Sequence, residues 1–382
     1  MSNPPISTSK RRPHIISWQQ RRINKLIPNI DYPSIIMLPF QISLLLASIF
    51  FTSSRATYTL SQDYTGANFF TGFEFFTGAD PTSGHVQFVD MNTANSTGIA
   101  GIMSGGSAHN AVYLGVDSTT VAPQGRGAIR VTSTQTFQHA LVIADIAHMP
   151  GGICGTWPAM WMLGAGKTWP DGGEIDIVEG VNAQPANKMT LHTNAGVSIQ
   201  NGTDFSGELV TPNCDINAPG QATNAGCQIA DSQSLTFGSG FNAANGGVYA
   251  TEWTSDFIKI WFFPRGAVPS DVASGNPNPS DAWGVPNSLF QGSFNMDAHF
   301  QNLQIIFDTT FCGQWAGTDW PTSSCASLAP TCEAYVTNNP SAFADAYWAI
   351  NTLQVFQQSN NITQPSKIRR RMGGSVLAPP ST

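Results

Sequence analysis

The chain has 382 residues, of which 41% are hydrophobic and only 11% are charged, and its formal net charge is −7. A charged fraction well below the roughly 25% of an ordinary soluble chain, together with abundant Gly, Ser, Thr and Asn, is typical of secreted all-β proteins. Between Thr57 and Thr363 six basic residues stand against 23 acidic ones, a formal charge of −17, which excludes the Lys- and Arg-rich surfaces that bind nucleic acid or anionic membranes and suits a neutral polymer.

The first 56 residues are predicted to lie outside the main domain. Residues 1–33 are basic and show no sustained apolar periodicity, so they are either disordered or an over-extended gene model. Residues 34–56 contain an apolar stretch and end in Ser54-Arg55-Ala56, an A-x-A-like cleavage site. They form a signal peptide or an uncleaved type II anchor. Pro39 and Gln41 weaken the anchor, so we expect secretion, and a membrane contact only if the segment stays uncleaved.

One domain, residues 57–363, is predicted from short strands separated by Gly/Asn/Pro clusters, with no competing long helical period. The candidate strands are Ala128 to Val131, Ala140 to Ile146, Val248 to Trp253, Phe257 to Phe263, Leu303 to Phe307 and Leu353 to Phe356. Residues 364–382 form a basic tail that is predicted to be disordered, with binding to anionic wall polymers as the alternative.

Three tryptophans, Trp157, Trp161 and Trp169, lie just ahead of an unusual acidic strand. Indole faces stack on the apolar faces of pyranose rings, so each is a candidate sugar contact. A core or loop-packing role is equally compatible with any one of them, because Trp is usually well buried.

The acidic strand is an apolar, β-branched run from Gly172 to Gly180 that contains Glu174, Asp176 and Glu179. Period-two alternation places Glu174 and Asp176 on one face and the intervening isoleucines on the other. Strict alternation would put Glu179 on the wrong face. We therefore predict a β-bulge near Val178 that returns Glu179 to the face of the other two acids.

That bulge makes the two glutamates i and i+4, about 13 Å apart at Cα, and side chains of about 4 Å each leave roughly 5 Å between the carboxyls. This separation is expected of a retaining glycosidase. Glu174 would attack the anomeric carbon, Glu179 would protonate the leaving oxygen and then activate water, and Asp176 would tune both. Because three crowded acids repel, at least one should hold its proton to a higher pH.

Two other interpretations of this strand are a solvated acidic edge and a calcium site, since oxygen clusters also suit a hard cation. Neither requires a Trp-rich segment beside the acids, whereas sugar chemistry does. Sugar chemistry is therefore the prediction, with no metal ligand and no cofactor assigned.

Six cysteines behind a signal-like segment indicate disulfides formed in an oxidising compartment. Fifteen connectivities are possible, and Cys214 with Cys227, which closes a short Pro/Asn/Gly loop, is the one bridge that we predict. Zinc is disfavoured because no tight Cys/His pair spacing is present. Asn95, Asn201 and Asn361 begin N-glycosylation acceptor triplets in loop-like settings.

The acidic strand and its flanks resemble glycoside hydrolase family 16, in particular the fungal endo-1,3(4)-β-glucanases, or laminarinases. The resemblance runs from about Thr57 to Gln357. Besides the E-x-D-x-x-E strand it rests on the segments Cys154 to Trp161, Trp169 to Gly173, Met189 to Thr193, Phe257 to Arg265, Thr310 to Gly313 and Asn338 to Ala344. It implies a jelly-roll β-sandwich of two antiparallel sheets with a concave substrate cleft.

The resemblance also implies roles for single residues. Glu174 corresponds to the nucleophile, Asp176 to its helper and Glu179 to the acid/base. Trp161 and Trp169 correspond to cleft residues, and Trp157 has a more structural place. Further candidate substrate contacts are His192, which also suits a bond to a catalytic carboxylate, and the loop residue Trp283. Alternation points Glu252 and Trp253 to opposite faces of their strand, and close relatives have Arg where this chain has Trp253, so Glu252 is the candidate contact there.

The function that we predict is a secreted, monomeric, retaining endo-glycosidase that hydrolyses β-1,3 and mixed β-1,3/1,4 glucans. The residues alone indicate a retaining glycosidase, and the family resemblance supplies the polymer. A transglycosylase on the same scaffold and a non-catalytic glucan-binding lectin are the alternatives. Retention of three crowded acids disfavours the lectin, because binding alone does not require them.

Overall fold

The structure is a computed structural model that describes residues 58–104 and 110–358. The predicted extension, the signal or anchor segment and the basic tail lie outside the described residues. None of the helices within those two ranges is long and apolar enough to span a bilayer.

Strands of the first sheet are antiparallel to their neighbours and run in the order β16-β15-β14-β8-β18-β5-β4, with β1 also paired to β18. They are β1 (Tyr58–Asp63), β4 (Ala100–Ile102), β5 (Val112–Leu114), β8 (Ala140–His148), β14 (Gly247–Trp253), β15 (Ile258–Pro264), β16 (Ser288–Phe290) and β18 (Trp348–Gln358).

Strands of the second sheet are also antiparallel and follow the order β12-β13-β11-β10-β9-β17-β7-β2. They are β2 (Phe73–Phe75), β7 (Arg130–Ser133), β9 (Thr156–Gly164), β10 (Glu174–Glu179), β11 (Lys188–His192), β12 (Glu208–Thr211), β13 (Cys227–Ala230) and β17 (Leu303–Phe311). A small parallel pair joins β3 (Val86–Phe88) to β6 (Arg126–Ala128).

Helices are short and connect the strands. They are α1 (Asn68–Gly72), α2 (Met91–Ser96), α3 (Gly238–Ala243), α4 (Ser270–Ala273), α5 (Met296–His299) and α6 (Cys332–Asn338). The predicted all-β jelly-roll sandwich is therefore confirmed. The predicted strands are confirmed as well, except that Ala128 to Val131 is divided between β6 and β7.

Alternation along the strands separates a shared core from two outer faces. Met160 and Met162 of β9 belong to the same buried cluster as Tyr249 and Trp253 of β14, in the core between the sheets. The other face of β14 belongs to a separate apolar cluster that includes Val248, outside the first sheet. The other face of β9 and β10 carries the acids, outside the second sheet.

Three disulfides fasten the loops at the edges of the sandwich. Cys214–Cys227 is present as predicted, and the other bridges are Cys154–Cys325 and Cys312–Cys332. One loop prediction is wrong, since Asn95 lies in α2. Asp90 accepts bonds from the first backbone N–H groups there and so begins a helix. Asn361 lies outside the described residues.

Candidate active site

The acidic strand β10 contains the predicted bulge. Asp176 lies opposite Trp161 of β9, and the next paired residue is Val178, so Ile177 is the extra residue. Glu179 then lies opposite Ala159 and returns to the outer face of the second sheet. The three acids therefore share one face because one residue is inserted between the second and the third.

A glycine fixes the entry to this strand. Gly173 has φ +76°, and a Cβ there would lie 2.5 Å from the carbonyl oxygen of His299. Only a residue without a side chain adopts that backbone conformation readily and fits so close to a neighbouring chain. Glu174 thus starts the strand at a position that the turn sets.

Each glutamate of the strand accepts a hydrogen bond from a different tryptophan. The indole N–H of Trp169 donates to Glu174 Oε2 at 2.9 Å, and that of Trp157 donates to Glu179 Oε1 at 2.8 Å. Trp169 remains 40% exposed. Each indole therefore orients one oxygen of its glutamate.

His192 of β11 lies directly across from Glu174. Its Nε2 is 3.3 Å from Asp176 Oδ2 and 3.9 Å from Glu174 Oε1, and the indole ring centre of Trp169 lies 6.1 Å from the imidazole. His192 therefore lies within 4 Å of both acids at this end of the strand.

Burial and mutual repulsion raise the pKa of every acid on the strand. Loss of hydration, and next the charge of Asp176, raise the pKa of Glu174 to about 8 and that of Glu179 to about 8. The two indole N–H donors act in the opposite direction. Burial, and next the charge of Asp308, hold the pKa of Asp176 well above its ordinary value. Both glutamates therefore hold their protons to a higher pH than free carboxyls do.

A fourth carboxylate, Asp308 of β17, lies on the same face, since both Asp308 and Glu179 lie opposite Ala159, and it was not among the predicted site residues. Burial raises the pKa of Asp308 to about 7, while Arg130, 4.0 Å away, opposes that rise. The Arg130 guanidinium also lies 4.9 Å from the ring centre of Trp161. The signal was an acid directly after the apolar run that ends at Phe307, which resembles the pattern in β10.

A lysine at the Glu179 end of the site was also missed. The ammonium of Lys188 lies 5.0 Å from the ring centre of Trp315, which packs edge-on against Trp157. Burial lowers the pKa of Lys188, and the charge of Glu179 opposes that change. Lys188 is one of only six basic residues between 57 and 363, and that rarity was the available signal.

The structure does not bring Glu252 and Trp283 to this cluster, which corrects two predicted substrate contacts. Glu252 lies on the outer face of the first sheet, where it accepts a bond from the Tyr58 hydroxyl at 2.8 Å. Trp283 is 5% exposed, packs edge-on against Trp261 and donates to Asp271 at 2.9 Å. Alternation assigns a residue to one of two faces, but it does not say which sheet the strand joins.

Donor atoms of Glu174, Asp176 and His192 lie within 4.8 Å of one another, a spacing that could hold a cation. The set contains an imidazole nitrogen and only two carboxylates, which suits zinc better than calcium, since calcium takes six to eight oxygens. A cation there would occupy the oxygen of Glu174 that faces His192.

Comparisons with known proteins agree with this geometry. A family profile described as "XgeA-like, catalytic GH16 domain" matches residues 73–356. An endo-1,3(4)-beta-glucanase of Arthroderma benhamiae is 46% identical over 328 residues, which are 85% of this chain and 70% of that protein. The chain spans about half the length of other curated relatives, for example 51% of a probable endo-1,3(4)-beta-glucanase of Aspergillus fumigatus.

Two solved structures are similar to this protein over 79% of its chain and 100% of their own chains. GH16 Laminarinase 16A from Phanerochaete chrysosporium, which holds two beta-glucans "in both donor and acceptor sites", is 40% identical with a TM-score of 0.71. An "elongating GH family 16 beta-1,3-glucosyltransferase" is 41% identical with a TM-score of 0.72.

Proposed function

The chain belongs to glycoside hydrolase family 16, and from this membership we propose that it cleaves β-1,3 and mixed β-1,3/1,4 glucans internally, with retention of configuration. One observation carries the proposal: Glu174 and Glu179 lie on one face of a single bulged strand, and a different tryptophan donates to each. The substrates named for its relatives support the choice of polymer.

The first chemical step requires one ionised and one protonated carboxyl. Ionised Glu174 attacks the anomeric carbon and forms a covalent glycosyl ester, while Glu179 gives its proton to the departing glycosidic oxygen. Burial raises the pKa of both glutamates to about 8, so Glu179 keeps its proton at neutral pH, and the ionised fraction of Glu174 grows as pH rises toward that value.

The second step reverses the roles. Glu179, now ionised, takes a proton from water, the water oxygen attacks the anomeric carbon, and the bond to Glu174 breaks. Asp176 and His192, 3.3 Å apart, form the adjoining acid–imidazole pair that adjusts the charge beside Glu174. Two displacements on opposite faces return the original anomeric configuration.

Reducing-sugar release by the full chain tests this proposal. Laminarin, lichenan, cellulose and xyloglucan are the substrates, Glu174→Ser is the inactive variant, and Glu252→Gln is the matched carboxylate control on the other sheet. Release from laminarin or lichenan that Glu174→Ser abolishes and Glu252→Gln keeps is the expected result. If no reducing sugar is released from any of the four glucans while the chain still binds glucan, the protein is a lectin and not a hydrolase.

A second candidate is glucan transfer, in which an acceptor sugar replaces water in the second step. The similarity to an elongating β-1,3-glucosyltransferase supports it, because the same covalent ester serves both reactions. Chromatography of products from a defined laminari-oligosaccharide separates the two. Products longer than the substrate would indicate transfer, and shorter products alone indicate hydrolysis.

Secretion as a monomer is part of the proposal. Three disulfides support an oxidising compartment. Sequencing the N-terminus of secreted material tests the cleavage site, since a start at Thr57 would eliminate the anchor.

A further inference from the structure

The bulge that presents Glu179 has a neighbouring strand on only one side. Pairing of β10 with β9 continues through Glu179. Pairing of β10 with β11 ends at Asp176, which lies opposite Thr190. Backbone groups of the last three strand residues that face β11 therefore need other partners, because an unpaired buried N–H or C=O is costly.

The Asn187 carboxamide supplies those partners. Its Nδ2 donates to the carbonyl oxygen of Ile177 at 2.8 Å, and its Oδ1 accepts from the backbone N–H of Glu179 at 2.9 Å. The orientation of the amide follows from its partners, since one is an acceptor and the other a donor. Gln184 adds a weaker bond of 3.3 Å to the carbonyl of Glu179. One side chain thus bonds the extra residue of the bulge and the glutamate beyond it.

Asn187 is itself held in place from behind. It is 1% exposed, its backbone N–H donates to Thr236 Oγ1 at 3.1 Å, and its carbonyl accepts from the N–H of Asp231 at 2.8 Å. Thr236 in turn donates to Gln233. The carboxamide is therefore a fixed template rather than a mobile contact.

We propose that Asn187 is a positioning residue for the acid/base, holding the bulge so that Glu179 faces the substrate. This inference rests on the proposed function. Without the two bonds, the strand can return to regular alternation, and that change turns Glu179 toward the other face. Glu174 and Asp176 precede the bulge and pair with β11 along their own length, so they keep their places. The loss should therefore fall on proton transfer and not on nucleophilic attack.

The test compares Asn187→Ala with Asn242→Ala. Asn242 makes the same kind of bond pair, accepting from the N–H of Met149 and donating to its carbonyl, both at 3.0 Å, but its partner is not a residue of β10. With laminarin, kcat of Asn187→Ala should fall about 100-fold with little change in KM. Asn242→Ala should keep its kcat at an equal loss of Tm.

A dinitrophenyl β-laminaribioside separates the two steps, because dinitrophenolate leaves without a proton. Asn187→Ala should retain the burst of dinitrophenolate that reports attack by Glu174. Added azide needs no base to displace Glu174 from the anomeric carbon, so it should restore turnover about tenfold or more and form a β-glycosyl azide. Loss of the burst together with kcat, or no rescue by azide, would overturn the inference.

A second variant and a hydrogen-exchange measurement complete the test. If Asn187→Ala does not fold, Asn187→Asp serves instead, since it keeps the acceptor for Glu179 and loses the donor to Ile177. Amide hydrogen exchange of the peptide 175–183 should rise in the Asn187 variant and not in Asn242→Ala. An inactive wild type would refute the proposed function alone. Unchanged exchange would refute this inference alone.

Discussion

The two indole donors should control opposite sides of the pH profile. Trp169→Phe removes the bond to Glu174, and Trp157→Phe removes the bond to Glu179. Each bond favours the ionised carboxylate, so its loss raises the pKa of that glutamate. The nucleophile must be ionised, so Trp169→Phe should move the acidic limb of kcat/KM to higher pH. The acid must be protonated, so Trp157→Phe should move the alkaline limb to higher pH.

The magnitude follows from the hydrogen bonds. A bond to a charged group contributes about 1.5–3 kcal/mol, and a pKa change of one corresponds to about 1.4 kcal/mol. Trp169 is 40% exposed, so water can replace much of its hydrogen bond, and we expect Trp169→Phe to raise the pKa of Glu174 by less than about one. Trp157 is less exposed, so we expect Trp157→Phe to raise the pKa of Glu179 by about one. Trp169→Phe should also lower the maximum rate, because a higher pKa leaves less of Glu174 ionised while Glu179 is still protonated.

The assay is kcat/KM on laminarin from pH 4 to 10 at constant ionic strength. Wild type and the two variants form a matched set, since the change in side chain is the same. A shift of the same limb in both variants would refute the assignment of Glu174 as nucleophile and Glu179 as acid. If Trp169→Phe moved the alkaline limb and Trp157→Phe moved the acidic limb, the roles of Glu174 and Glu179 would be exchanged.

Three further predictions follow from the site. Glu174→Gln should raise the free energy of unfolding at pH 7 by about 1–3 kcal/mol and leave it unchanged below pH 4.5. The folded state keeps the Glu174 proton up to about 8 while the unfolded chain loses it near 4.5, so stability falls as pH rises through that interval; equal Tm values at pH 7 would contradict this. Zn²⁺ should inhibit and EDTA should restore activity, by occupation of Glu174, Asp176 and His192, and activation by Zn²⁺ would contradict the mechanism. Glu252→Gln should keep kcat/KM on laminarin within about twofold, because Glu252 bonds Tyr58 on the first sheet and shares no partner with the acids of β10, and a tenfold loss would return Glu252 to the cleft.

The acidic strand was predictable because its information is local. Three acids spaced as Glu174, Asp176 and Glu179 can share a face only if a residue is inserted, and the structure has that insertion at Ile177. Cys214 and Cys227 were predictable for the same reason, since they close a short loop.

Long-range pairing defeated the other predictions. Glu252 was predicted to face the cleft because its side chain points away from that of Trp253, but β14 joins the first sheet, and nothing in its own residues says so. Trp283 belongs to a loop that folds back on that sheet. An acid after an apolar run marks Asp308, but its effect on Asp176 crosses 132 positions, and the local pattern does not name that partner. Asn187 bonds residues 8 and 10 positions earlier, and those bonds depend on where β11 begins.

The stereochemistry of the first product tests the central claim most directly. Proton NMR of laminari-oligosaccharide hydrolysis distinguishes the α and β anomers before mutarotation mixes them. The β anomer should appear first, because double displacement through Glu174 retains configuration and requires carboxyls about 5–5.5 Å apart. First appearance of the α anomer would show single displacement by water and would contradict the assignment of Glu174 as nucleophile.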